Sequence, residues 1–318
     1  MAWHQSEQKR QFPVRVEELR LRRGTQKNPK SHIYRLHGIA GKEKPVIAKL
    51  CKTEAADIER RIYQHILSQL PVRVPELYGA RLAEDESKTW LFLEDAGESR
   101  FAFKNPPCRQ LAVEFLAVLH TDSQRISEIQ SLPDVGIDRS LARLQSLTTW
   151  LEQSRNNPAL DSAAHTVLDT ANRYCSILTE SWDEIEKLYE PLPRTLVHGD
   201  FKPNNTRIVQ QPSSQLLVFD WEMAGIGMPG LDLATARLSR FPSAAREYFR
   251  LTREAWPDLG FDEIEMMVNL GSIFRAIALA DWNCTQLTLQ YPHKSIAQLE
   301  LCCQKFERAF SRIQWRIA

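Results

Sequence analysis

A short loop places a carboxylate and an amide at a spacing that suits group transfer. In the segment "LVHGDFKPNN", Asp200 and Asn205 lie five residues apart and flank the rigid Pro203. Phosphoryl transfer needs a carboxylate that accepts the proton of the attacking hydroxyl, and an oxygen ligand that holds a metal ion on the nucleotide phosphates. The alternative is an ordinary turn, in which Asp and Asn side chains bind backbone amides.

A second carboxylate favours phosphoryl transfer over a simple turn. Asp220 follows the apolar run "LLVF", and a carboxylate at the end of a buried strand is costly unless it is paired or bound to a metal. A β-hairpin that turns at "QQPSSQ" would return Asp220 to the side of Asn205. Because Mg²⁺ takes oxygen ligands and few of them from protein, we predict a magnesium site at Asn205 and Asp220.

A lysine upstream could neutralise nucleotide phosphates. Lys49 lies in "VIAKL", which alternates like a β-strand, and the next segment, "TEAADIERRIYQHILSQL", has the spacing of a helix. A carboxylate from that helix would hold the lysine in place. We choose Glu59, which lies on the same side as Ile62 and Ile66, over the weaker candidates Glu54 and Asp57. The alternatives are a lysine that extends to solvent and a glutamate that pairs with a neighbouring arginine.

The composition favours a globular protein without an extended charged surface. Of 318 residues, 43% are hydrophobic and 25% are charged, and the net charge of +1 favours neither nucleic acid nor membranes. The six cysteines form no C-x-x-C pair, so we expect reduced thiols. Since the N-terminus has no apolar signal segment and no apolar run reaches bilayer length, we expect a soluble, cytoplasmic protein with no nucleic-acid or membrane partner.

The order of strand-like and helix-like segments predicts an α+β fold with two lobes. Strand alternation prevails first, in "VRVEELRLRR", "HIYRLHGI", "KPVIAKLCK", "PELYGARL" and "TWLFLEDAG". From about Asn105 onward helical spacing prevails, interrupted by short strands around Asp200. We predict a small β-rich nucleotide-binding lobe at residues 1–94, a larger, mostly helical catalytic and substrate-binding lobe at residues 95–318, and a ligand site in the cleft between them.

Taken in chain order, seven segments resemble the aminoglycoside phosphotransferase and choline kinase-like superfamily. They are "VIAKL", "IERRIYQHI", "WLFLEDAG", "LAVLHTDS", "VHGDFKPNN", "VFDWE" and "GIGMPGLDLA", and they cover about residues 30 to 240. Each segment alone is weak evidence, but their common order and spacing are specific. The resemblance implies small-molecule kinase activity and a bilobal, protein-kinase-like fold with a small β-rich N-lobe and a larger helical C-lobe.

The resemblance also implies roles for single residues in catalysis. Asp200 would be the catalytic base, and His198 would brace its loop. Lys202 would stabilise the transferring phosphoryl group, with a surface lysine as the alternative. Asp232 in "GLDLA" would order the loop beyond Asp220.

For the cofactor, the resemblance implies ATP with Mg²⁺. The pair Lys49 and Glu59 would bind the phosphates, and the backbone of Leu93, Glu94 and Asp95 would form the adenine-binding hinge. The chain departs from the kinase pattern in the loop "RRGTQKNPKSH", which lacks G-x-G-x-x-G, so that Thr25, Asn28 and Ser31 would have to bind phosphate beside Gly24.

Acidic residues in the second half of the chain suggest the class of acceptor. Glu222 lies two residues after Asp220, on the same side of an extended chain, and Asp281 with Trp282 ends the apolar segment "VNLGSIFRAIALADWNCTQL". A carboxylate beside an aromatic face suits an ammonium group. The hypothesis is an amine-bearing alcohol: an aminoglycoside, an amino sugar or a choline-like compound. Alternatively, Trp282 is core, Asp281 pairs with an arginine and Glu222 is solvated.

Three functional classes remain to be compared. The leading one is an ATP-dependent kinase that phosphorylates a small-molecule alcohol. The second is a nucleotide-binding pseudokinase or regulatory module without turnover, which loss of Lys49, Asp200, Asn205 or Asp220 would favour, and all four are present. The third is a protein kinase. Two features argue against it: the motif reads "HGD" instead of "HRD", and no "APE"-like segment follows Asp220.

Overall fold

The computed structural model describes residues 15–19, 31–39, 42, 44–99, 101–210, 214–237, 240–288 and 292–313. The chain forms two compact units. The first comprises Met1–Val118, Arg125–Glu128 and Asp200–Ala224, and the second comprises Leu119–Gln124, Ile129–Gly199 and Gly225–Ala318. The boundary predicted between residues 94 and 95 runs through the first unit and stays a prediction.

The first unit contains a five-stranded antiparallel sheet built from the segments that alternate in sequence. Its strands are β1 (Arg15–Glu18), β2 (His32–His37), β3 (Val46–Lys52), β4 (Leu77–Leu82) and β5 (Lys88–Glu94), in the spatial order β1-β2-β3-β5-β4. On the central strand β3, Val46 and Ala48 share one face and pack with Leu36 and Phe92 in an apolar core. Lys49 therefore belongs to the opposite face.

Helix α1 (Thr53–Arg61) follows β3 directly and carries Glu59 into the interior. The segment predicted as one helix is α-helical only as far as Arg61. Residues Ile62–Ile66 make a π-helical turn and Leu67–Gln69 a 3-10 turn. The wider turn buries Tyr63 with its neighbours, a local irregularity of the kind found near functional sites.

A β-hairpin in the first unit follows the Asp200 loop, as predicted. Among the described residues, the remaining strands are β6 (Thr195–Val197), β7 (Thr206–Val209), β8 (Gln215–Val218) and β9 (Gly225–Gly227). Strands β7 and β8 pair with Thr206 opposite Val218. The predicted turn at "QQPSSQ" includes residues 211–213, which lie outside the described residues. The hairpin register brings the two ends of the segment Asn205 to Asp220 together.

Helices make up most of the second unit. Among the described residues, α2 (Pro106–Asp122) lies mostly in the first unit. The later helices belong to the second unit and are α3 (Ile137–Ser154), α4 (Ser162–Glu180), α5 (Trp182–Tyr189), α6 (Gly230–Thr235), α7 (Pro242–Thr252), α8 (Phe261–Cys284) and α9 (His293–Ile313). Helix α8 packs against α3, α6 and α9. It approaches α6 so closely that a Cβ on Gly271 would clash with the carbonyl of Gly230, which explains why glycine stands at both positions.

A sheet followed by a mainly helical remainder is the α+β arrangement predicted from the sequence, and that prediction is confirmed. Among the described residues, none of the helices combines the length and apolar character needed to cross a bilayer.

Candidate active site

The centre of the candidate site is the ammonium group of Lys49 in the first unit. Its Nζ lies 2.8 Å from Oε2 of Glu59 and 2.5 Å from Oδ1 of Asp220. Oε2 of Glu222 lies 3.7 Å from the same nitrogen. Lys49 is only 4% exposed and Glu59 is fully buried, so Lys49 does not extend to solvent. The structure therefore brings Lys49 together with the helix carboxylate chosen from the sequence.

The carboxylates keep this lysine charged. Burial alone would lower the pKa of Lys49, but the negative charges of Glu59, Asp220 and Glu222 raise it well above its ordinary value. Burial raises the pKa of Glu59, although the ammonium of Lys49 opposes that rise. The group is thus a buried cation with an excess of nearby negative charge.

The loop that carries Asp200 gathers three of the predicted residues. The ammonium of Lys202 contacts the carboxylate of Asp200 directly. The side-chain amide of Asn205 donates to the backbone carbonyl of Asp200 at 3.1 Å and to its Oδ2 at 3.2 Å. The residues between them, Pro203–Asn205, form a single 3-10 turn, for which Pro203 at the first position supplies the required backbone angle. This turn brings the amide of Asn205 back to Asp200.

The hairpin connects this loop to Lys49. The amide of Phe219 donates to the carbonyl of Asn205 at 3.1 Å, so that Asp220, the next residue, begins beside Asn205. Asp220 has a φ of 72°, a left-handed conformation that is uncommon for residues with a side chain. Backbone strain of this kind persists where the surrounding structure holds it, often at functional sites. Here the contact with Lys49 helps to hold Asp220.

A buried polar network in the second unit orders the residues just before Asp200. The carboxylate of Asp232 accepts hydrogen bonds from the amides of His198, at 2.7 Å, and Gly199, at 2.9 Å. Its Oδ2 also lies 3.3 Å from Nε2 of His120, whose Nδ1 lies 2.8 Å from the hydroxyl of Tyr248. Asp232, His120 and His198 are fully buried. Asp232 thus orders the segment that precedes Asp200, and its predicted role in the loop beyond Asp220 stays a prediction.

The predicted hinge ends strand β5, and its acidic side chains already have partners. Arg73 binds the carboxylate of Glu94 at 2.5 and 2.6 Å, and Arg35 binds that of Asp95 at 2.7 Å. The amide of Glu94 donates to the carbonyl of Glu76 at 2.8 Å. The side chains of Glu94 and Asp95 and the amide of Glu94 therefore have partners within the protein, and the adenine-binding role of the Leu93–Asp95 backbone stays a prediction.

The residues predicted to bind the acceptor are divided between the two units, and their role stays a prediction. Glu222 lies beside Lys49 in the first unit, whereas Asp281 and Trp282 belong to the second unit. Asp281 accepts a hydrogen bond from the hydroxyl of Ser146 at 2.7 Å. The side chain of Trp282 is exposed, so its assignment to the core is excluded.

The sequence analysis did not single out five arginines of the structure. They are the hinge partners Arg35 and Arg73, and three arginines of the second unit, Arg139, Arg143 and Arg275. A signal was present for two of them, since Arg139 and Arg143 are spaced by one helical turn in "DRSLARL". The loop around Gly24, Thr25 and Asn28, which was expected to meet phosphate, lies outside the described residues.

Comparison with known proteins agrees with the family predicted from the motifs. Residues 34–266 match the sequence model of a family described as the phosphotransferase enzyme family. A stretch of 128 residues is 32% identical to acyl-CoA dehydrogenase family member 11 of Gallus gallus. That stretch is 40% of this chain but only 14% of the larger relative.

Solved structures share the fold over nearly the whole chain. A microcompartment-associated aminopropanol kinase superposes with a TM-score of 0.66 at 15% identity, covering 97% of both chains. A spectinomycin phosphotransferase in complex with ADP and spectinomycin superposes with a TM-score of 0.62 at 14% identity, covering 92% of both chains. At this low identity the similarity shows the fold, and the predicted protein-kinase-like fold is confirmed.

Proposed function

We propose that this chain, which belongs to the phosphotransferase enzyme family, moves the γ-phosphoryl group of Mg-ATP to a hydroxyl group of a small molecule. The observation that carries the proposal is the connected set of side chains in the first unit. Lys49 contacts Asp220, the hairpin joins Asp220 to Asn205, and Asn205 contacts Asp200. Phosphoryl transfer requires a phosphate-binding cation, metal ligands and a proton acceptor that lie close to one another.

Lys49 would bind and orient the nucleotide phosphates. Its ammonium is held by Glu59 from one side, so the side chain is positioned before any ligand arrives. Because Lys49 is buried, its attraction for phosphate is screened by water less than that of a surface lysine. The backbone of Leu93–Asp95 would position the adenine.

Asn205 and Asp220 fit a magnesium ion. The amide nitrogen of Asn205 donates to Asp200, which leaves its amide oxygen as the atom for a metal. Asp220 supplies a carboxylate that is about one-third exposed, at 33%. Two oxygen ligands of this kind suit Mg²⁺, whose remaining positions are taken by phosphates and water. When bound, the ion would neutralise charge on the phosphates and align them.

Asp200 would accept the proton of the acceptor hydroxyl. The amide of Asn205 orients its carboxylate, and Asp232 orders the backbone immediately before it. Lys202, in contact with the same carboxylate, would stabilise negative charge that develops on the transferring group. Catalysis would thus consist mainly of positioning and charge neutralisation.

The proposal is tested by measuring ADP release with Mg-ATP and a panel of alcohols. The panel contains aminoglycosides, amino alcohols, sugars, polyols and hydroxy acids, and mass spectrometry identifies the phosphorylated product. Acceptor-dependent ADP release with a phosphorylated product supports the proposal. Magnesium-dependent ATP binding without turnover on any alcohol would instead favour the hypothesis of a nucleotide-binding pseudokinase.

A further inference from the structure

Three arginines gather in the second unit, apart from the residues assigned to phosphoryl transfer. Arg139 and Arg143 lie one turn apart on α3 and therefore share a face of that helix. Arg275 lies on α8, which packs against α3. All three side chains are partly buried. We call Arg139, Arg143 and Arg275 the arginine cluster.

The members of the arginine cluster are close enough to influence one another. Burial lowers the pKa of Arg143, and the positive charges of Arg139 and Arg275 lower it further, while Asp281 opposes these effects. Burial also lowers the pKa of Arg139. The positive charges of Arg139 and Arg275 thus act on the guanidinium of Arg143 against the carboxylate of Asp281, in a partly buried place.

Two of these guanidinium groups lack partners in the described part of the chain. Neither Arg139 nor Arg143 makes a hydrogen bond or an ion pair with a residue that the structure describes. Asp281, the nearby carboxylate, instead accepts its hydrogen bond from Ser146. Removing charge from water without a partner is unfavourable, so such groups are normally paired. An arginine pair that is partly dehydrated and unpaired is suited to an anionic ligand.

The positive charge extends to α9 and to the segment after α6. Desolvation lowers the pKa of Lys305, and nearby positive charges lower it further. The charges that act on it in this way are those of Arg275, Arg237 and Arg240. An anion bound at the arginine cluster would therefore be attracted by positive charges beyond those that it contacts directly.

The arginine cluster also reaches the segment that enters the catalytic loop. Nη1 of Arg275 donates to the carbonyl oxygen of Gly199 at 3.5 Å. That carbonyl belongs to the peptide bond that connects Gly199 to Asp200, the proposed base. An acceptor held by this arginine would be held near the point where the chain enters the loop.

We propose that the arginine cluster binds a negatively charged group of the acceptor, so that the substrate is an anionic alcohol bearing a carboxylate or a phosphate. The planar fork of arginine matches the oxygen pairs of both groups and forms strong, charge-assisted hydrogen bonds with them. This inference rests on the proposed function and gives its acceptor a class. It is an alternative to the amine-bearing acceptor suggested by the sequence, since Asp281 acts on Arg143 and accepts a hydrogen bond from Ser146, and Glu222 lies beside Lys49.

The test compares alcohols that differ only in the charge of one end. Glycolate, ethylene glycol and ethanolamine form one matched series. Hydroxybutyrate, butanediol and aminobutanol form a second series with a longer carbon chain. A comparison of glycerol with glycerol phosphate shows whether the anionic group can be a phosphate instead of a carboxylate. The measured quantity is kcat/KM for acceptor-dependent ADP release. We expect the anionic member to be preferred in at least one series. Arg143→Gln should lower kcat/KM for that member by about 10- to 100-fold, as expected for loss of one charge-assisted hydrogen bond, without changing the KM for Mg-ATP.

Two controls make the result specific. Arg308→Gln, at an exposed position of α9, removes the same charge outside the arginine cluster and should leave the preference intact. Calorimetry with glycolate, hydroxybutyrate and glycerol phosphate, without ATP, measures anion binding to the arginine cluster even if no alcohol is phosphorylated. Binding lost in Arg143→Gln but kept in Arg308→Gln would then support the anion site while the proposed function fails. A preference for the amine or the neutral alcohol, or equal losses in both variants, would overturn the inference.

Discussion

The ammonium of Lys49 lies 2.5 Å from the carboxylate of Asp220, although the two residues are 171 positions apart in the sequence. This contact connects the central strand of the sheet to the hairpin that follows the catalytic loop, within one compact unit. A contact over so long a separation forms only when the unit is folded. The lysine proposed to bind nucleotide and the proposed metal ligand therefore depend on the same folded structure.

Removing the Lys49 charge should destabilise the protein. In Lys49→Met the buried carboxylate of Glu59 loses its cation, and breaking a buried ion pair in this way costs about 3–5 kcal/mol of unfolding free energy. Urea unfolding measures the change. Lys52→Met, at the exposed end of the same strand, should cost no more than about 0.5 kcal/mol. Adding Glu59→Leu to Lys49→Met should recover part of the loss, and equal stability of the two single variants would refute the account of this pair.

Nucleotide binding should depend on magnesium through Asp220. Asp220→Ala should weaken Mg-ATP affinity and turnover together, because the lost ligand leaves phosphate charge uncompensated. Titration calorimetry in the presence of magnesium, and again with a chelator, measures the difference. We expect the wild type to lose affinity with the chelator and the variant to show a much smaller change. Equal ATP affinity of the wild type under both conditions would count against the metal assignment.

Asp232 should affect catalysis without touching the nucleotide. Asp232→Asn retains the shape of the side chain but places an amide donor against the amides of His198 or Gly199. Each buried polar group that loses its partner costs about 1–3 kcal/mol, so the segment before Asp200 should become less well ordered. We expect kcat to fall by about 10-fold or more while the Kd for Mg-ATP stays unchanged, with Asp258→Asn on an exposed loop as the control. A parallel loss of nucleotide affinity would show a general structural defect instead.

The Glu94–Arg73 contact should make stability depend on pH in the acidic range. Burial alone would raise the pKa of Glu94, but the hydrogen bond and charge of Arg73 lower it below the ordinary value of 4.5. A carboxyl group whose pKa is lower in the folded protein contributes stability above its ordinary pKa and loses that contribution as the pH falls through the lowered value. Urea unfolding from neutral to acidic pH should show a shallower decline in Glu94→Gln than in the wild type. Glu84→Gln, at an exposed position, should behave as the wild type, and identical slopes in all three proteins would disprove the effect.

The parts of the site that follow local patterns could be predicted from the sequence. The strand and turn pattern around "LVHGDFKPNN" predicted the hairpin that joins Asn205 to Asp220, and the alternation of β3 placed Lys49 on the face opposite the apolar core. These features depend on spacing along one or two neighbouring elements, which the sequence displays directly.

Features that depend on distant packing could not be predicted. The carboxylate of Asp232 meets amides 33 and 34 positions away, and Arg275 meets Gly199 across 76 positions. The π-helical turn at Ile62–Ile66 arises because tertiary packing overrides a helical pattern that is locally regular. The excess of positive charge around Arg143 appears only when α3 and α8 are packed together.

The central claim is that Asp200 accepts a proton during phosphoryl transfer, and the most direct test is turnover of Asp200→Asn on the alcohol that the wild type phosphorylates. The measurement is ADP release at saturating Mg-ATP, with the Kd for Mg-ATP and the urea unfolding curve recorded for the same two proteins. Loss of general-base catalysis predicts that kcat falls by about 10²- to 10⁴-fold, with nucleotide affinity and stability nearly unchanged. A variant that folds, binds Mg-ATP and retains more than about one-tenth of the wild-type kcat would contradict the assignment, since a general base contributes far more than that.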